Sequence, residues 1–559
     1  MTDPGIGTNQ NLQLQSDRSQ QSRSSAAGVI IQIRRASQVF FLLLFTGLFL
    51  AATNRLAPKS LIPVDIFLRA DPLVYLATGI SSTAASGRLA FAASMALPVL
   101  VLLALTIVLG RVFCGWICPL GTLIDISDRM LYRKGRPFYR PRRTESRKWR
   151  NWKFLFLAAA LISAVFTVQV TFLLDPISLL TRTFAFIFLA PAAWIWNSLL
   201  RLSEIIGVQG FLYDRFQVNI GAWRTLPYAF RQNLVILLMF AGIVALSAVQ
   251  ERFWCRNLCP LGALLGLLSR ISILRHHISA RCNHCTLCER QSRMGAYEHL
   301  SSKDEEPETH SLTECIQCFR CATQCRPGAL VIKPSLPLHR TKERTAETLV
   351  PAAQPKLDIG RRRLLSAAAV GAVWALTAKT NARAYPDEAR AIRPPGAAPE
   401  AEFLAACTRC GECMRACITN GLQPALLETG LEGIWTPVLV PRIGACAEKC
   451  TACGQVCPTD AIRPFTVEQK KHIKLGLAHV YKDLCIAWNE GKDCIVCAEV
   501  CPYQAVIFKD VDDPTLKKTK RVPTVDSKLC TGCGLCEHHC PVTPNRAIIV
   551  HSTKPDRAT

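Results

Sequence analysis

Histidine is missing from the first half of the chain, where none precedes His276. A transmembrane haem needs axial ligands, and no apolar segment here can offer paired histidines. C-x-x-C-H is also absent, which excludes a covalently attached c-type haem. No G-x-G-x-x-G follows a strand-like run, which argues against a nicotinamide or flavin Rossmann domain. Acidic residues are scarce where basic ones gather. Eleven Lys and Arg lie between Arg129 and Lys153, opposed by Glu145 alone. The formal net charge of +25 therefore does not point to nucleic acid. The basic stretch is bounded by apolar segments, and no zinc-finger or basic-zipper pattern accompanies it. It reads as a loop at a membrane surface.

Cysteine is abundant, with 27 in 559 residues. Five runs are complete: Cys315-Cys318-Cys321-Cys325, Cys407-Cys410-Cys413-Cys417, Cys446-Cys450-Cys453-Cys457, Cys485-Cys494-Cys497-Cys501 and Cys530-Cys533-Cys536-Cys540. A sixth, Cys282-Cys285-Cys288, meets Ser292 at its fourth position. Spacings of two, two and three residues let one loop wrap a cluster corner with three thiolates, while the fourth reaches a neighbouring cluster. Disulfide frameworks do not repeat this spacing, and structural zinc uses separated C-x-x-C pairs. The runs therefore predict several [4Fe–4S] clusters and an electron-transfer protein.

The expected organisation is multidomain: an α-helical membrane domain of two repeated transmembrane hairpins, with α+β ferredoxin-like domains. Residues 1–36 are polar and carry Arg18, Arg23, Arg34 and Arg35, and they read as a disordered cytoplasmic tail. Residues 37–275 form the membrane domain, with spans near 37–54, 89–110, 153–174 and 232–250. The segment 183–201 is broken by Pro191 and reads as interfacial or re-entrant on the outer side. Basic loops put the tail and 129–153 inside. The hairpins repeat each other. Each carries Asp-Pro in its outer loop (Asp71-Pro72, Asp175-Pro176) and ends in C-x-x-x-C-P-L-G (Cys114 to Gly121, Cys255 to Gly262).

Residues 276–333 form a cytoplasmic two-triplet ferredoxin domain, and 334–360 a linker. Residues 361–384 have the layout of a twin-arginine signal, Arg361-Arg362-Arg363-Leu364-Leu365 through Ala382-Arg383-Ala384, although an amphipathic linker helix is the plainer alternative. Residues 385–559 form a four-cluster domain, which export would place in the periplasm.

In that domain the sixteen cysteines predict four cubane sites. A nested exchange pairs the first triplet with Cys540, the fourth with Cys417, the second with Cys501 and the third with Cys457; exchange between neighbouring runs is the simpler alternative. In the cytoplasmic domain Cys282, Cys285 and Cys288 have Cys325 available. Cys315, Cys318 and Cys321 meet only Ser292, so one or two clusters are expected there. Cys114, Cys118, Cys255 and Cys259 have i,i+4 spacing ahead of a proline. Their faces would converge on a cofactor or a quinol pocket, or else pack helices as small hydrophobes. With no dinucleotide domain, a lipid-soluble quinol is the natural donor.

Residues 37–333, with their C-x-x-x-C-P-L-G strings and cytoplasmic triplets, resemble the NapH/MauN family of membrane quinol dehydrogenase components. Residues 361–551 resemble the NapG/MauM family of exported ferredoxin-type proteins, through the twin-arginine-like run, Arg393-Pro394-Pro395-Gly396-Ala397, Cys407-Thr408-Arg409-Cys410-Gly411-Glu412-Cys413 and the three later runs. The resemblance implies a fusion in the bacterial inner membrane. Quinol from the membrane pool would be oxidised, and electrons would leave for a periplasmic multihaem cytochrome or reductase. An accessory role, supplying electrons for assembly of another periplasmic enzyme, is the alternative.

Overall fold

A computed structural model describes residues 28–50, 63–87, 92–131, 149–216, 230, 232–279, 282–298 except 284, 309–335 except 326, 350–351, 360–382, 391–513 and 518–552. Most of the expected tail, the body of the basic 129–153 loop, most of the linker and Arg383-Ala384 lie outside these residues.

The first half folds as a bundle of apolar helices: α1 (Gly28–Leu50), α2 (Pro72–Ser86), α3 (Ala93–Leu109), α4 (Pro119–Leu131), α5 (Trp152–Val165), α6 (Pro176–Ile205), α7 (Asn233–Ala245) and α8 (Pro260–Ser269). Helix α1 begins within the expected tail, and Arg34, assigned there to disordered chain, is buried. By length and composition α1 and α6 suffice to cross a membrane, whereas α3, α5, α7 and α8 are shorter. Helix α6 absorbs the segment 183–201 into one continuous helical run. Its Pro191 stands only three residues after a π turn, Phe184–Phe188, that already breaks the α ladder.

Cysteine-rich domains grip this bundle at both ends. At the near end, Arg111 and Trp116 donate to the carbonyls of Thr313 and Gln317, and Lys153 pairs with Glu314 at 2.5 Å. At the far end, Arg415 donates to the Phe49 carbonyl, Ser94 to Pro458 O (3.5 Å), Gln169 to Ala405 O (2.8 Å) and Gln232 to Pro424 O (3.2 Å). Helices α1, α3, α5 and α7 thus alternate in direction, each joining one end to the other across about 20–25 Å.

A ninth helix, α9 (Arg361–Ala382), carries the chain from the near domain to the far one. It runs beside and parallel to α5. A Cβ on Gly371 would stand 2.6 Å from Ala159 O, and Ala375 and Ala378 pack with Val168. The near domain holds strand β1 (Leu274–Ile278), antiparallel to β2 (Leu330–Pro334). The far domain holds β3 (Leu477–Val480), the long hairpin β4–β5 (Val506–Asp513, Lys518–Val525) and β6 (Ile548–His551), which pairs with β3. One continuous apolar core joins Phe172, Phe186 and Phe230 of the bundle to Phe403 and Met414 of the far domain. Three buried arginines stitch this seam over aromatic faces: Arg182 on Trp435, Arg409 on Phe172 and Arg415 on Phe49, each at 4.3 Å. Desolvated contacts of this kind contribute about 2 kcal/mol each.

Candidate iron–sulfur centres

Each triplet of the far domain lies on a loop running into a single helical turn, such as Glu412–Arg415 and Leu535–His539, which Gly411 (φ 86°) and Gly534 (φ 82°) open in the left-handed conformation. Cys407, Cys410 and Cys413 line one cavity with Cys457. Cys446, Cys450 and Cys453 share their surroundings with Cys417. Cys485, Cys494 and Cys497 line a cavity with Cys540, and Cys530, Cys533 and Cys536 another with Cys501. The nested exchange is therefore corrected. The fourth ligand passes between adjacent runs, because each pair of runs folds back on itself as one two-site module. The modules are alike in detail: Cys457 Sγ accepts from Ile462 N (3.4 Å) and Cys501 Sγ from Ala505 N (3.3 Å).

Exchange and contact put the four sets in a row. The Cys410 set lies against the bundle, in one apolar cluster with Phe184, and Gly411 is packed on Phe186. It shares exchanged ligands with the Cys450 set, whose Cys446 N donates to Cys533 O (2.9 Å) of the next module. The Cys494 set ends the row, beside the π turn Ile486–Glu490 that fills the wide gap between Cys485 and Cys494. Burial pushes the thiols of Cys446 and Cys457 up to about 11 and that of Cys497 to about 12. Without a bound cation these groups stay protonated at neutral pH, so the sets suit metal-stabilised thiolates.

In the near domain Cys282 and Cys288 pack with Cys325 around Ile278 and Leu330, as the spacing predicts. Ser292 does line the cavity of Cys315, Cys318 and Cys321, but its Oγ accepts from Ala296 N at 2.8 Å, closing a turn. This three-thiol set sits directly under the bundle, since Ile316 O occupies the place a Cβ on Gly115 would take.

Cys114 and Cys255 each lie in a π turn, Phe113–Ile117 and Trp254–Leu258, closed by Cys118 N to Phe113 O (2.8 Å) and Cys259 N to Trp254 O (2.9 Å). The prolines that follow open α4 and α8 rather than end a turn, because proline at the first helical position loses no needed N–H. The structure brings all four cysteines together at the near end of the bundle core.

Two models of a 4Fe-4S type match the chain: a 4Fe-4S binding domain at 91–138 and again at 232–281, and a 4Fe-4S dicluster domain at 492–543. The methylamine utilization ferredoxin-type protein MauM of Methylorubrum extorquens is 41% identical over 158 residues, 27% of this chain and 69% of that protein. The ferredoxin-type protein NapG of Escherichia coli is 37% identical over 195 residues, 32% of this chain and 81% of its own. The ferredoxin-type protein NapF of the same organism is 33% identical, covering 29% and 87%. The chain belongs to the MauM/NapG family of ferredoxin-type proteins. No solved structure matches it.

Like its MauM and NapG relatives, then, this is a ferredoxin-type iron–sulfur electron-transfer protein with several 4Fe–4S-binding units. Around its near-domain triplet stand residues the spacing did not reveal. His276 Nε2 lies 3.7 Å from Cys315 Sγ and its Nδ1 2.5 Å from the Tyr297 hydroxyl, which donates to Cys321 Sγ at 3.7 Å. His310 stacks on His276 at 3.9 Å, and ligand atoms of His276, His310 and Cys315 lie within 4.8 Å of one another. Burial lowers His276 to about 4 and His310 well below its usual range, so both rings are neutral at pH 7. Hydrogen bonds to cluster sulfurs shift reduction potentials, so the His276–Tyr297 pair would act on the potential of a cluster held by this triplet. The alternation of β1 was the available signal, because it turns consecutive histidines to opposite faces.

Proposed function

We propose that the protein is a multi-pass inner-membrane electron carrier that oxidises quinol at the bundle and delivers electrons through the far domain to a periplasmic cytochrome or reductase. The observation that carries this reading is the two-ended grip: the near cysteine domain holds the bundle through Arg111, Trp116 and Lys153, and the far domain holds it through Phe49, Ser94, Gln169 and Gln232. Positive-inside orientation supports a cytoplasmic near end. Leu131 and Trp149, which flank the basic loop, belong to that end, where Arg150 donates to Gly295 O at 3.2 Å. Helix α9 then fits a retained anchor that follows its export signal through the bilayer beside α5.

Within the far domain the sixteen cysteines would hold four [4Fe–4S] clusters, and electrons would pass from the Cys410 set through the Cys450 and Cys533 sets to the Cys494 set. The near domain would hold one complete cluster and one at the Ser292 site. The protein supplies thiolates, backbone N–H donors to sulfur and a dry surround; the clusters supply one-electron chemistry when bound. In sealed anaerobic membranes, reduced quinone should bleach the cluster absorption. If quinol leaves every cluster oxidised while dithionite reduces them, the quinol reading fails.

A further inference from the structure

Cys114, Cys118, Cys255 and Cys259 come from two halves of a repeat, yet all six pairs among them are close enough to interact electrostatically. We propose that these four cysteines ligate one [4Fe–4S] cluster shared by the two halves, with Arg111 and Arg252 as its counter-ions. Neither matched 4Fe-4S segment of the bundle contains more than two cysteines, so a cluster with four thiolates requires both.

The surroundings are built alike on each side. Cys118 Sγ accepts from Gly121 N at 3.4 Å and Cys259 Sγ from Gly262 N at 3.3 Å, the same N–H to sulfur bond that the far-domain ligands receive. Each arginine reaches across the repeat. Arg252 donates to Cys114 O and Gly121 O, both at 3.3 Å, while Arg111 lies 3.9 Å from Cys114 Sγ and 2.7 Å from where a Gly262 Cβ would stand.

Charge demands an anion here. Arg34, Arg111, Lys153, Arg252 and Arg293 are buried in one network, and the buried carboxylates they meet are Asp125, Asp128 and Glu314. Among the described residues these are five cations against three carboxylates, a surplus that low dielectric makes costly. An oxidised cubane with four thiolates carries about two negative charges, which meets it. Four protonated thiols carry none, so packing by small hydrophobes leaves the surplus unanswered.

Spacing separates a cluster from a single ion. Sulfurs around one tetrahedral zinc stand about 3.8 Å apart. Among the described residues only His276, His310 and Cys315 bring three ligand atoms within 4.8 Å of one another. The four bundle sulfurs do not, and neither do the ferredoxin triplets, as ligands spread around a cubane should not. The site also stands where a relay lacks a member. Gly115 touches Ile316 beside the Cys315 triplet, and Cys118 and Cys259 share an apolar cluster with Cys410 of the far domain.

The inference does not depend on quinol as donor, and its test reads metal rather than turnover. The full chain would be purified anaerobically in detergent, and iron, zinc, acid-labile sulfide and Mössbauer spectra compared with those of Cys114→Ser/Cys255→Ser. The expected loss is about four irons and four sulfides per chain, with the remaining cluster spectra intact as the control for folding. Unchanged iron and sulfide in the folded double variant would overturn the proposal, and so would loss of zinc instead of iron. Arg111→Gln, which keeps all four thiols, should lower that cluster's reduction potential through loss of positive charge; the same potential within error would remove Arg111 from the assignment.

Discussion

Asp125 carries more of the near end than any other single side chain. Its carboxylate accepts from Arg34 (2.8 Å), Gln38 (2.9 Å) and Arg252 (2.6 Å), and pairs with Arg293 of the near cysteine domain (2.8 Å). Asp125→Asn keeps the shape and leaves three buried guanidiniums without their charge partner, a loss on the order of 3–5 kcal/mol. The unfolding midpoint in detergent should fall steeply, whereas Asp128→Asn, which keeps an oxygen to accept the Arg252 N–H and gives up one charge at the rim of the network, should fall less. Ser292→Cys tests the incomplete triplet. A fourth thiolate should convert a three-iron paramagnetic signal to a four-iron one, and an unchanged spectrum would remove position 292 from the ligand set. The stacked histidines add a pH dependence. Their folded pKa values lie below the unfolded value near 6.5, so the unfolded chain binds more protons in acid. Near-domain stability should be fully present above about pH 6.5 and decline as pH falls toward about 4. In hydrogen exchange, His310→Phe, which keeps the stack and removes one titration, should flatten that decline; a slope as steep as the parent's would assign it elsewhere.

At the scale of elements, the exchange of fourth cysteines was only half legible in the sequence. Spacing names all sixteen cysteines, since three thiolates on one turn must be local. The fourth is a tertiary choice, made by which runs fold against each other, and no spacing records that. The π turns were hidden for a similar reason: C-x-x-x-C suits an α-helix equally well, and only the closure of Cys118 N on Phe113 O distinguishes them. The row of sets now predicts where electrons leave. Cys494→Ser should spare quinol reduction of the Cys410, Cys450 and Cys533 sets yet abolish transfer to an added periplasmic acceptor. Undiminished transfer would move the exit to another set. Gly115 predicts the opposite end. Gly115→Val pushes into Ile316 O and should slow reduction of the Cys315 triplet while leaving the far clusters unaffected.

For the whole molecule, alternating hydropathy and the repeated strings anticipated helices that run back and forth. The segment 361–384, expected as a signal or anchor or else as an amphipathic linker helix, forms the helix α9, although its apolar part is short for a span. Its place depends on Gly371 and Ala375 allowing close approach to α5 rather than on lipid affinity. A reporter fused after Thr559 should be active outside the inner membrane, and a cytoplasmic signal would place every cluster on one side.

Three of the four helices joining the two cysteine domains are brief: Ala93–Leu109 has 17 residues, Trp152–Val165 has 14 and Asn233–Ala245 has 13, while Gly28–Leu50 has 23. At 1.5 Å per residue the brief three measure about 20–25 Å, against a hydrocarbon layer of about 30 Å. In the proposed membrane setting such a mismatch would be met by thinning the bilayer beside these three helices. Because these helices fix the separation of the two cysteine domains, the protein itself, and not the lipid around it, sets how far an electron must tunnel from one to the other.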